Sequence, residues 1–155
     1  MAARYPDFFI VGAPKCGTTS AADYLKQYPG VFMPALKEPR FYASDAFSNA
    51  IFGLQRVADR DAYLRLFAPA SPHQIIGEAT PYYLLGPSAV AAAKADNPNA
   101  KFIAFIRNPV DLAFALHWQL VMVFLEEERD FARAWRGQIR GLHVGQKGTK
   151  PYRMM

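Results

Sequence analysis

The segment Gly12-Ala13-Pro14-Lys15-Cys16-Gly17-Thr18-Thr19-Ser20 concentrates groups that can hold an anion. It follows a short apolar run, Phe8-Phe9-Ile10-Val11, and precedes Ala21, Tyr24, Leu25 and Tyr28, which recur at helical spacing. A buried strand that runs through a glycine-bounded loop into a helix can aim backbone N–H groups at one point, and the helix N-terminus adds partial positive charge. Gly12 and Gly17 bound the loop, Lys15 sets a full charge inside it, and Thr18, Thr19 and Ser20 bring hydroxyl donors. The plainer alternative is a glycine turn carrying a solvated lysine. A helix N-terminus could also activate the Cys16 thiol. A phosphatase-type loop, however, needs an arginine at its far end, and none follows here.

The nucleoside-triphosphate loop has the pattern G-x-x-x-x-G-K-[ST]. Here both glycines fit, but Thr18 stands at the lysine position and the lysine has moved to position 15. A second apolar run, Lys101 to Ile106, ends in Arg107 where a magnesium-binding aspartate would be expected in such an enzyme. A kinase or NTPase therefore remains the rival and not the first choice. The pattern G-x-P-K-x-G-T-T instead resembles the 5'-phosphosulfate loop of sulfotransferases that use 3'-phosphoadenosine 5'-phosphosulfate (PAPS), in strand context, lysine, glycine and paired threonines alike.

The resemblance extends to three more segments, in order, over about residues 7–118. Arg107-Asn108-Pro109 with Ala113 is similar to the family's 3'-phosphate segment, R-N-P-x-x-R-A-x-S. Leu112 and Ala115 depart from it, at the second arginine and at the serine; the missing hydroxyl removes one charged hydrogen bond, worth about 1.5–3 kcal/mol. Lys37-Glu38-Pro39-Arg40-Phe41-Tyr42 looks like the K-E-P-x-F-[FY] segment of the bacterial and carbohydrate members, and Gly77-Glu78-Ala79-Thr80-Pro81-Tyr82-Tyr83-Leu84 like their G-E-x-[ST]-P-x-Y-L segment.

The resemblance implies in-line sulfuryl transfer from PAPS to a hydroxyl or amine, leaving 3',5'-adenosine bisphosphate, with no metal required. PAPS carries one phosphate before its sulfuryl group, so Lys15 would stabilise the charge that develops as the S–O bond breaks. Glu38 would take the acceptor's proton, Lys37 would hold the sulfuryl oxygens, and Arg107 would anchor the 3'-phosphate. Glu78 would assist Glu38 or orient Lys15, with Tyr82 and Tyr83 lining the acceptor cleft. Gly12, Lys15, Cys16, Gly17, Thr18, Thr19, Ser20 and Arg107 make up the implied donor site. For the Lys37–Glu38 pair, Arg107 and the two tyrosines, the plain alternatives are a solvated ion pair on a loop, a surface ion pair and a strand-end turn. His73, His117 and His143 do not sit where the phenol-type members carry a catalytic histidine, and read as surface or packing residues.

These residues must be positioned by the elements around them. Strands are expected at Phe8–Val11, Val31–Met33, Gln74–Glu78 and Lys101–Ile106, and helices at Thr18–Tyr28, Arg60–Phe67, Pro87–Lys94, Asn108 to about Glu128, and Phe131–Ile139. Pro87 and Pro109 suit the first helical turn, the latter after an Asn108 N-cap. Strands alternating with helices point to an α/β fold, a three-layer sandwich with a mainly parallel sheet of the P-loop nucleotide-binding type. Phe114 and Trp118 are expected in the core. The glycine-rich residues 141–155 read as loop or frayed tail, and the whole as one domain that carries the N-terminal part of the family's fold.

Composition narrows the partners. The chain has 155 residues, 52% hydrophobic and 20% charged, the balance of a globular protein. A net charge of +5 suits an anionic ligand, but its cations are scattered, which argues against nucleic acid. The longest apolar stretch, Leu112 to Leu125, is shorter than a membrane span and contains His117 and Gln119. One cysteine, Cys16, excludes an intrachain disulfide and suggests a reducing, cytoplasmic setting. The acceptor is expected to be a small molecule or carbohydrate. Apolar surface around Leu120 to Leu125 could be covered by a second copy. A catalytically weak or inactive PAPS-binding relative is the remaining alternative.

Overall fold

The computed structural model describes residues 4–43 and 56–139. The expected tail at 141–155, with His143, lies outside the described residues, as do the positions between the two spans. The chain falls into two compact units, Met1–Ile106 and Arg107–Met155.

The first unit holds four strands: β1 (Phe8–Gly12), β2 (Val31–Phe32), β3 (Ile75–Ala79) and β4 (Lys101–Ala104). They form one sheet in the order β2-β3-β1-β4, and every pairing is parallel. The helices are α1 (Thr18–Leu25), α2 (Arg60–Arg65), a 3-10 turn (Pro81–Leu85) and α3 (Pro87–Asp96). The alternation of strand and helix thus yields the expected parallel α/β sheet. Asp7 sets its register at one end: its N–H donates to Ile76 O at 2.7 Å, its carboxylate accepts from Ile76 N at 2.7 Å, and its carbonyl accepts from Lys101 N at 2.9 Å.

β1 is buried at all five positions because both faces of the sheet are covered. Phe8 and Ile10 pack with Ala22 of α1, Met33 and Ala79. Phe9 and Val11 point the other way, toward Tyr83 and toward Ala89 and Ala93 of α3. Ile76 shares that side with Tyr63 and Phe67. The period-two alternation of a strand separates the two sets, giving three layers within this unit. The buried stripe of α1 is Thr18 and Ala22, flanked by Ala21 and Leu25. Tyr24 and Tyr28, expected on it, are exposed, and α1 stops at Leu25.

The chain leaves β1 toward β2 on one side of the sheet and crosses from β3 to β4 on the other. The carboxyl end of β1 is therefore the point where strand order reverses, the position at which open α/β sheets bind ligands. β4 contributes further than its formal end: Phe105 N donates to Gly12 O at 2.8 Å and Ala13 N donates to Phe105 O at 2.7 Å.

The second unit contains α4 (Pro109–Met122) and α5 (Phe131–Ile139). Asn108 caps α4 as expected, its side chain accepting from Val110 N at 2.9 Å, with Pro109 in the first turn. The helix ends six residues before the expected Glu128. Phe124 adopts φ 59°, and Leu125 N donates to Leu120 O at 2.9 Å, a left-handed closure that glycine commonly supplies. With a phenylalanine there, the stop has no sequence signal. Phe114 and Trp118, expected in the core, are 48% and 42% exposed, although their rings meet edge-on. His117 is buried against Trp118 and Phe131, a packing histidine, while His73 is exposed.

Gly12 owes its identity to the 3-10 turn. A Cβ there would meet Leu84 Cβ at 2.6 Å and the Pro81 carbonyl oxygen at 2.9 Å, atoms fixed close to backbone. Gly12→Ala should therefore cost about 1–3 kcal/mol of folding stability, read as a lower urea midpoint at unchanged slope. An unchanged midpoint would show that the turn yields freely.

Candidate functional site

The loop after β1 is built on two left-handed residues, Lys15 at φ 62° and Gly17 at φ 85°. Glycine suits the second, and nothing lies within 4 Å of where its Cβ would be. Gly17 is the N-cap of α1 and supplies no side-chain cap. Ala21 N closes the first helical bond to Gly17 O at 3.0 Å, and Cys16 N donates to Ala13 O at 3.2 Å. The amides of Gly17, Thr18, Thr19 and Ser20 find no acceptor among the described residues. A helix start leaves such donors to a ligand or to water. Lys15 is exposed, Cys16 is half-buried, Thr18 is buried, and Thr19 and Ser20 are exposed.

The Lys37–Arg40 segment comes to this same helix start. Lys37 Nζ donates to Thr19 Oγ1, joining side chains 18 positions apart. Lys37 Nζ also lies 3.7 Å from Glu38 Oε1. Glu38 Oε2 accepts from the Arg40 guanidinium at 2.7 Å. The Arg40 guanidinium sits 5.2 Å from the centre of the Tyr82 ring, and Arg40 N donates to Thr80 Oγ1 at 3.4 Å. Three of the four sequence segments therefore meet in the first unit, through side chains that follow β1, β2 and β3. Arg107, from the fourth, opens the second unit with an exposed side chain one residue before the α4 cap.

Glu78 lies inside β3, paired with Phe9, and is fully buried. Its Oε2 accepts from Tyr63 at 2.6 Å and from Tyr83 at 3.2 Å. Oε1 is buried without a hydrogen bond of good geometry among the described residues. Burial raises the carboxyl to about 7, while the hydroxyls of Thr80, Tyr63 and Tyr83 partly oppose that by favouring the charge. Burial, then the facing carboxylate, pushes the Tyr63 and Tyr83 phenols upward, so both stay protonated and donate to Glu78. Tyr83, expected in the acceptor cleft, is 1% exposed and belongs to the core. Tyr82 is half-buried beneath Arg40. Sequence reasoning passed over Arg40, whose charge inside the K-E-P segment was the available signal, and Tyr63, which carried none.

A parallel α/β sheet with an uncapped helix start at its reversal point, and a lysine–glutamate pair tied to that helix, is the architecture of the P-loop-like α/β fold. Among the described residues, no cluster of His, Cys, Asp or Glu could hold a metal ion. A match to the sulfotransferase family spans residues 6–155, and the chain belongs to that family. The solved sulfotransferase from Alicyclobacillus acidocaldarius superposes with a TM-score of 0.74 at 32% identity, over 91% of this chain and 61% of that one. Heparan sulfate glucosamine 3-O-sulfotransferase 6 of Homo sapiens is 31% identical over 72% of this chain and 30% of its own length. Carbohydrate sulfotransferase 15 of Homo sapiens is 42% identical over 45% and 13%. The membrane-associated sulfotransferase kil1 of Dictyostelium discoideum is 27% identical over 73% and 24%. The chain thus spans less than a third of each of these curated relatives. No helix among the described residues is long and apolar enough to cross a membrane.

The buried carboxyl has a consequence for stability. Glu78 binds its proton more tightly when folded than in an unfolded chain, where its value is 4.5. Its contribution is therefore complete below about 4.5 and lost as pH rises through about 7, a total of about 3 kcal/mol. Urea midpoints measured from pH 5 to 8 should show this falling component, and Glu78→Gln, neutral throughout, should remove it. An identical pH slope in the variant would mean that Glu78 titrates alike in both states.

Proposed function

We propose that this chain carries the donor site and the proton-abstracting group of a PAPS-dependent sulfotransferase that acts on a carbohydrate hydroxyl or amine. The observation that carries this is the Lys37–Thr19 contact, which sets a carboxylate one residue away from an anion-binding helix start. The residues present fit the donor: unspent amides at Gly17–Ser20, an exposed lysine in the loop, and no acidic residue in the first turn of α1 itself. When bound, PAPS supplies the activated sulfuryl group.

The chain's own residues then divide the work. The amides and hydroxyls of Thr18, Thr19 and Ser20 hold the 5'-phosphate, and Cys16 contributes only loop backbone. Lys15 faces the bridging oxygen and stabilises the charge that develops there. Lys37, held by Thr19, steadies the sulfuryl oxygens. Glu38 takes the proton of the acceptor, so that the attacking oxygen or nitrogen gains nucleophilicity as it approaches sulfur. Arg107 anchors the 3'-phosphate. Glu78 acts at one remove: its bonds to Tyr63 and Tyr83 fix the core beneath Thr80, which receives the Arg40 amide. The transfer is in line and requires no metal. The names of the relatives support a carbohydrate acceptor. The lone Cys16 favours a reducing compartment such as the cytoplasm.

Calorimetric titration with 3',5'-adenosine bisphosphate should show saturable binding that Lys15→Ala and Arg107→Ala each weaken by about 10- to 100-fold, the loss of one charged contact. ATP–Mg²⁺ should bind more weakly. No heat from the bisphosphate with a folded protein would remove the donor site, and a preference for ATP–Mg²⁺ would favour the kinase or NTPase rival.

A further inference from the structure

Arg40 lies two residues beyond Glu38 and turns back to it. Its side chain is 6% exposed, and Glu38 is its counter-ion, at 2.7 Å. Its Nε is buried and has no hydrogen-bond partner among the described residues. Burying a guanidinium with an unused donor is unfavourable unless the remaining contacts compensate, and the short ion pair is the strongest of them. The backbone is constrained as well. Glu38 has φ 54° and Arg40 φ 56°, on either side of buried Pro39. Left-handed conformations of such residues persist only where their surroundings enforce them, and they gather at functional sites. Here the enforcement is visible: Arg40 N donates to Thr80 Oγ1, Ala43 N donates to Arg40 O at 3.0 Å, Val57 N donates to Pro39 O at 2.9 Å, and Tyr82 lies under the guanidinium.

The two oxygens of Glu38 are consequently unequal. Oε2 is held by Arg40. Oε1 has Lys37 Nζ at 3.7 Å, beyond hydrogen-bond distance, and accepts no hydrogen bond among the described residues. It is also the oxygen nearer Lys37 Nζ, the group that donates to Thr19.

We propose that Arg40 is the positioning residue of the reaction: it clamps Glu38 Oε2 and so presents Oε1 as the atom that receives the acceptor's proton. This rests on Glu38 acting as the base. As the acceptor oxygen bonds to sulfur, its proton passes to Oε1, and the electron pair of the breaking S–O bond leaves with the 5'-phosphate. Arg40 touches neither substrate; it restricts the carboxylate to one rotation and one face.

The test compares Arg40→Ala, Arg40→Lys and Glu38→Gln in transfer of labelled sulfate from PAPS to heparan sulfate. Arg40→Ala should lower kcat on the order of 100-fold, the effect of misplacing a reacting group, with KM for PAPS within about threefold because the donor loop is untouched. Added guanidinium should restore part of that rate in Arg40→Ala and none in Glu38→Gln. Arg40→Lys, which keeps the charge without the fork, should fall between. A crystal structure of Arg40→Lys should show the Glu38 carboxylate rotated away from its present position. Wild-type kcat in Arg40→Ala beside an inactive Glu38→Gln would overturn the role of Arg40 alone. Full activity in Glu38→Gln, or no transfer by the wild-type chain, would overturn the base assignment and this inference with it. An unmoved carboxylate in the lysine variant would count against the clamp whatever the rates.

Discussion

The hydrogen bond from Lys37 to Thr19 is the contact on which the site depends. Without it, the loop after β1 would be an anion-binding turn of a kind many proteins carry, and the segment after β2 would be a charged surface loop. With it, a cation, a carboxylate and a row of unspent amides share one end of one sheet. The contact is available because both elements follow parallel strands of one sheet, so their loops emerge at the same edge. The single-residue step from Lys37 to Glu38 then sets where that carboxylate stands relative to the start of α1.

Beneath that surface lies a second constraint. Glu78 occupies the middle of the fold with its carboxyl among Tyr63, Tyr83 and Thr80. A buried carboxyl is a costly way to fill a core. Its benefit here is directional: it orders two tyrosines, and Tyr83 in turn receives the Tyr42 amide at 3.3 Å, just beyond the Lys37–Arg40 segment. Charge is thus spent in the core on holding the loop that carries Glu38, and conformational freedom is spent at Glu38 and Arg40 themselves.

Much of this was legible in the sequence. The apolar runs named the four strands, and the prolines at 87 and 109 with Asn108 placed two helix starts. The loop's place between β1 and α1 was legible because two glycines bound it between an apolar run and a helical one. What escaped depended on tertiary contact. A tyrosine after a strand can face a cleft or the core, and the Glu78 carboxyl on the same face of the sheet decides it for Tyr83. The requirement for glycine at position 12 came from outside the loop, from the crowding of Leu84 and Pro81. The end of α4 rests on a phenylalanine in a conformation that no local rule assigns to it. Arg40 stood inside a recognised motif at its variable position, so its pairing with Glu38 could not be seen until the chain turned back on itself.

The central claim is that the amides at the start of α1 bind the 5'-phosphate end of the donor. Amide chemical shifts of Gly17, Thr18, Thr19 and Ser20, followed by NMR during titration with 3',5'-adenosine bisphosphate, test it most directly. The account predicts that these four resonances move together, downfield and to saturation, in step with Lys15. Movement confined to other parts of the chain, with these amides unchanged at saturation, would contradict it.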